Sequence, residues 1–90
     1  MKRKEDFILR QIADEYLLIP TGAATAKLSG MITLSETSAF VWEQLSQERT
    51  VAQLVRAVRD TYEVSAVQAE ADVVQLVNTF VQLDLLENNN

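Results

Sequence analysis

The chain has no cysteine and no histidine. Disulfide frameworks, Cys/His zinc sites, cysteine nucleophiles and Ser-His-Asp triads are therefore excluded. Acid–base catalysis would have to run on Asp, Glu, Lys or Tyr alone. Glycine occurs twice and proline once in 90 residues, too few for linkers or low-complexity segments. Gly22 and Gly30 stand isolated, so no glycine-rich phosphate loop exists. No apolar run approaches the ~18 residues of a membrane span. Lys2-Arg3-Lys4 runs into Glu5 and Asp6 where a signal peptide would carry its apolar stretch. A cytoplasmic protein that does not enter a membrane is the expectation.

Hydrophobic residues make up 48% of the chain, enough for a packed core. The length suits one domain over residues 1–90, with 1–6 and 88–90 as flexible ends and Lys2-Arg3-Lys4 as a solvated tail. Charge is uneven. All 8 basic residues lie at or before Arg59, whereas the segment from Asp60 onward holds Asp60, Glu63, Glu70, Asp72, Asp84 and Glu87.

Phe7 to Ile12 is rich in apolar and β-branched residues and reads as a strand. Ala13-Asp14-Glu15 reads as a turn and Tyr16 to Ile19 as a second strand, stopped by Pro20-Thr21-Gly22. Small and polar residues from Ala23 to Ser29, Leu28 apart, suit a loop or a ragged hairpin. Gly30 to Leu34 reads as a third strand, with Ile32 and Leu34 on one face and Met31 and Thr33 on the other. Three helices follow. Ser35 caps the first, whose apolar face is Ala39, Val41, Trp42 and Leu45. Thr50 with Gln53 forms a capping box for the second, which carries Val51, Leu54, Val55 and Val58 at helical spacing. Ser65 caps the third, which runs to about Leu83. Three antiparallel strands followed by three helices make an α+β, winged-helix-like domain.

The third helix has more apolar surface than one core face needs. At ~100° per residue, Val73, Leu76, Phe80 and Leu83 form a core stripe, and Val74, Val77 and Val81 form a second stripe beside it. The second stripe packs within the domain or receives a partner. DNA binding is disfavoured, because this helix offers no Lys or Arg to phosphates and carries Glu70 and Asp72. Glu36 and Glu43 share a helix face among polar neighbours and read as solvated surface rather than as a catalytic pair. Trp42, at core spacing, reads as packing. Arg56 and Arg59 lie on the outer face of the second helix, where they could meet an acidic partner.

The stretch Gly30-Met31-Ile32-Thr33-Leu34-Ser35-Glu36-Thr37-Ser38-Ala39-Phe40-Val41-Trp42-Glu43 resembles the signature of the PqqD family: an apolar strand, then Leu-Asn-x-Thr-(Gly/Ser)-Ala, then an apolar pair containing Trp. Downstream, Thr50-Val51 with Leu54-Val55, then Tyr62, Ala71-Asp72-Val73 and Leu83-Asp84-Leu85-Leu86-Glu87 continue the likeness, which spans about Phe7 to Glu87. Ser35 replaces the family's usual Asn and is itself a capping residue. Asp84 replaces the Gly that usually ends the last helix; Gly takes positive φ freely and Asp tolerates it at some cost, so a looser or differently turned end to the third helix is expected.

The resemblance implies a RiPP recognition element. Such a domain is a noncatalytic adaptor, with no cofactor of its own, that binds the leader of a ribosomally made precursor peptide and presents it to a modifying enzyme, typically a radical S-adenosylmethionine protein. The leader is held as an added strand beside the third strand and over the third helix. That makes Gly30, Met31, Ile32, Thr33 and Leu34, with Val74, Val77 and Val81, the expected peptide-binding residues, and Arg56 and Arg59 the expected enzyme-docking ones. The residues themselves agree with this mode: nothing from Met31 to Leu34 blocks strand addition. The same bare edge would also serve a structural module that joins two copies as a homodimer.

Overall fold

The computed structural model describes residues 1–26 and 30–87. β1 (Phe7–Ile12) and β2 (Glu15–Pro20) form an antiparallel hairpin running from Phe7↔Pro20 to Ile12↔Glu15. Ala13 and Asp14 alone join them. Ala13 has φ +55°, the positive value that lets a two-residue loop match the twist of its strands; alanine carries about 1–2 kcal/mol of strain there. After Pro20 a short 3-10 segment, Gly22–Ala26, buries Ala24. β3 (Ile32–Leu34) then pairs with β2, Tyr16↔Leu34 through Leu18↔Ile32. The order β1-β2-β3 leaves β1 and β3 at the two edges.

β3 is shorter than the expected strand, which included Gly30 and Met31. The cause lies in β2. Hydrogen bonds in an antiparallel ladder alternate along the pair. Ile12↔Glu15 closes a two-residue loop and is a bonded pair, so Arg10↔Leu17 and Ile8↔Ile19 are bonded as well. The Thr21 N–H donating to the Asp6 carbonyl at 2.7 Å continues the same alternation. Leu17 and Ile19 therefore spend their backbone groups on β1, and Tyr16, Leu18 and Pro20 direct theirs towards β3. Tyr16 and Leu18 meet Leu34 and Ile32. Pro20 has no N–H to offer at Gly30, and Gly30 leaves the strand direction at φ +137°. The ladder stops there.

The helices are α1 (Glu36–Gln44), α2 (Val51–Thr61) and α3 (Ala66–Gln82). Each begins where a hydroxyl can accept from the N3 amide. Ser35 accepts from Ser38 N–H and Ser65 from Gln68 N–H, each at 3.1 Å. Thr50 and Gln53 exchange both bonds of a capping box, at 2.9 and 3.1 Å. The Gln68 side chain instead donates to Asp72 at 2.7 Å. At the end of α3, Leu85 N–H donates to Phe80 C=O and Asp84 N–H to Val81 C=O, with Asp84 at φ +58°. This is a Schellman motif built on aspartate instead of glycine. The Asp84 carboxylate then meets Lys4 Nζ at 2.9 Å.

Trp42 is fully buried at the centre of the core. Phe7 and Phe80 contact it edge-on at 5.9 and 5.7 Å, and Leu18, Leu45, Leu54, Val58, Val73 and Leu85 are buried in the same cluster. Ala39, Val41, Trp42 and Leu45 all lie inside, as their spacing requires.

Residues 1–4 do not stand off as a solvated tail. Arg3 N–H donates to Leu45 C=O, Lys4 N–H to Leu85 C=O and Glu87 N–H to Lys2 C=O, at 2.8–2.9 Å. Arg3 pairs with Leu86 as an antiparallel bridge. Lys2, Arg3 and Lys4 are half-buried, and the Arg3 guanidinium lies 5.5 Å from the Trp42 ring centroid. The reason is non-local: the segment pairs with the stretch after α3 and covers Trp42, whose indole N–H has no partner among the described residues. The tail at 88–90 and the second half of the Ala23 to Ser29 loop, from Lys27, lie outside the described residues.

Candidate functional site

The alternation that ends β3 also fixes what its outer edge offers. Ile32 and Leu34 bond to β2, so the backbone groups of Thr33 point the other way, and those of Met31 follow the same parity. Among the described residues no strand takes them up. No charged residue stands between Gly30 and Ser35. Side chains alternate as the sequence suggested: Leu34 is buried and Ile32 packs against the core, whereas Thr33 is exposed and Met31 is 60% exposed. This edge is a short template with two outward amide units about 6.6 Å apart.

Val74, Val77 and Val81 on α3 differ in burial. The most buried line on α3 runs through Ala69, Val73 and Phe80, so Val73 and Phe80 of the expected core stripe lie inside. Leu76 and Leu83 are half-buried on one flank and Val77 on the other, each packed against the core. Val77 is therefore partly core. Val74 and Val81 remain exposed. Leu83 lines a hollow of about 310 Å³ with Phe7, Ala23 and Ala24, rimmed by Lys4, Asp6 and Asp84. Val81 opens onto a separate hollow with Met1, Leu86 and Glu87. The first hollow adjoins the 3-10 segment that leads towards β3. The sequence gives no local sign of it, because Phe7, Ala23 and Leu83 are brought together only by the tertiary fold.

Arg56 and Arg59 are exposed and line an open hollow of about 530 Å³ with Val55, Asp60, Tyr62 and Glu63. Neither lies within ion-pair distance of an acidic group among the described residues, whereas Arg3 reaches Glu43 at 3.7 Å. Tyr62 packs edge-on against Phe40 at 5.5 Å. Burial pushes its phenol up from the ordinary tyrosine range, with the Glu36 carboxylate and Tyr16 adding to the rise. Glu36 and Glu43 are exposed, as expected of solvated carboxylates.

No helix among the described residues is long and apolar enough to cross a membrane. A model of the family described as "Coenzyme PQQ synthesis protein D (PqqD)" matches residues 15–86. No curated protein matches the chain in sequence. Two solved structures resemble it. TbiB1, in complex with the TbiA(beta) leader peptide, superposes with a TM-score of 0.74 at 20% identity, covering 100% of this chain and 99% of that one. A lasso peptide synthetase B1 complexed with its leader peptide gives 0.70 at 19% identity, covering 93% of each. At these identities the likeness is one of fold.

Proposed function

The chain belongs to the PqqD family, and from that premise we propose that it is a noncatalytic adaptor that binds the leader of a ribosomally made precursor peptide along β3 and presents it to a modifying enzyme. The observation that carries the reading is the uncharged outer edge of β3, with the backbone groups of Met31 and Thr33 directed outward. An extended peptide satisfies such groups by strand addition, so the backbone supplies affinity and side-chain pockets supply selection. The shared fold supports the mode, since both similar structures were solved with leader peptides.

In this reading Thr33 and Met31 exchange hydrogen bonds with the leader, and Gly30 lets the chain swing away at the end of the added strand. Ile32 and Leu34 anchor β3 from the core side. The hollow between Leu83, Ala23 and Phe7 receives an apolar leader side chain. Arg56 and Arg59 lie on a different element and dock an acidic surface of the enzyme, which is of the radical S-adenosylmethionine class. The adaptor works in the cytoplasm and holds no cofactor itself.

The test is titration calorimetry with the synthetic leader segment of a candidate precursor peptide, joined to sedimentation of the chain alone and with peptide. The reading predicts one leader per chain and a binding enthalpy unchanged in Arg56→Glu and Arg59→Glu. A dimer that the leader does not dissociate, with no heat of binding, would assign the β3 edge to a second copy instead.

A further inference from the structure

Val67, Val74 and Val81 are 82%, 41% and 60% exposed on the outer side of α3. They are spaced by seven residues, and seven steps of ~100° fall about 20° short of two full turns, so the three valines lie along one slowly drifting line. At ~1.5 Å per residue that line is about 21 Å long. This is the spacing of a coiled-coil seam, which accepts a helix crossing at a shallow angle. A strand does not fit it, because side chains on one face of a strand recur about every 6.6 Å.

Glu70 falls between Val67 and Val74 on the same face, and Glu87 shares the hollow beyond Val81. No Lys or Arg occurs after Arg59. A second copy of this chain is a poor occupant, because pairing α3 with α3 buries Glu70 of both copies with no cation on either helix to meet it. A helix with an apolar seam and basic flanks satisfies both the valines and the carboxylates. We propose that the outer face of α3, centred on Val74, docks a basic amphipathic helix of another protein, at a surface separate from the leader-binding edge of β3. It stands whether or not the leader pairs with β3.

The probe is a pair of synthetic 21-residue helical peptides with the same leucine seam, one with Lys and the other with Glu at the flanking positions. Fluorescence anisotropy at low salt is expected to show the Lys peptide binding at least tenfold more tightly than its Glu twin. Val74→Asp weakens the Lys peptide at least tenfold while melting at the wild-type temperature, and Glu70→Lys removes or inverts the preference between the two peptides. Val67→Asp also weakens the Lys peptide, and leader affinity is unchanged in that variant. Equal or absent binding of the two peptides overturns the proposal, as does indifference to Val74→Asp. Loss of leader binding in Val67→Asp returns the valines to the leader groove. A dimer of the chain alone that Val74→Asp dissolves gives the surface to a second copy.

Discussion

β1 and β3 are both edge strands of one sheet, yet they present different edges. β1 is six residues long and its outward backbone groups fall at Phe7, Leu9 and Gln11, with charged Arg10 exposed among them. β3 is three residues long, carries no charge, and turns out only the amide unit of Thr33, with Met31 preceding it at the same parity. Charge on an edge strand discourages pairing and a short edge limits it to partners that fit. The difference teaches that a brief, uncharged edge suits a partner that fits it better than a long, charged one does. Length alone would favour the other side.

The most severe way to break the comparison is to remove the platform both edges share. Trp42 bridges Phe7 from β1 and Phe80 from α3. Trp42→Ala is expected to cost about 3–5 kcal/mol, a large part of the stability of so small a domain. Urea titration followed by circular dichroism should show the midpoint collapse, and leader binding lost with it. Full-height stability in this variant would mean that the core is organised around other residues.

A sharper cut touches one edge at a time. The Thr33 N–H points away from β2, so Thr33→Pro removes an outward donor without breaking the β2–β3 ladder. One lost hydrogen bond and the ring beside it are expected to weaken the leader by about tenfold or more, since ~1.4 kcal/mol is tenfold. Gln11→Pro makes the equivalent change on β1 and should leave affinity untouched. Calorimetry on both variants reads the difference directly. Equal losses would show that the two edges are not distinct.

The smallest effects concern how the backbone reverses. Ala13 carries left-handed strain on a side chain that offers no polar group, so Ala13→Gly should stabilise the hairpin by about 0.5 kcal/mol once the added freedom of the unfolded chain is set against the strain. Asp84 also sits at positive φ, but its carboxylate meets Lys4. Asp84→Gly gives up that ion pair and should show little net gain, since exposed pairs contribute about 0–1 kcal/mol. Thermal melts of the two variants separate these outcomes.

Much of this fold is legible residue by residue because its signals are local. Ser35, Thr50 and Ser65 mark all three helix starts through hydroxyls three residues from the amides they accept. The length of β3 is not legible in its own residues, since Pro20 on the neighbouring strand decides where pairing ends. Lys2-Arg3-Lys4 looks like a tail because its partners, Leu45, Leu85 and Glu87, are remote in sequence. On α3, periodicity identifies an excess of apolar surface but not the neighbours of each flank. Only the fold separates Leu83, beside Ala23 and Phe7, from Val81, beside Met1 and Leu86.

The central claim is that the leader pairs with β3 and not with β1. The direct measurement is amide hydrogen exchange by NMR, residue by residue, with and without a saturating leader peptide. The account predicts that the Met31 and Thr33 amides, open in the free protein, slow by at least tenfold on binding, while those of Leu9 and Gln11 exchange as before. Protection that appears at Leu9 and Gln11, or that leaves Thr33 unchanged in the saturated complex, would contradict it.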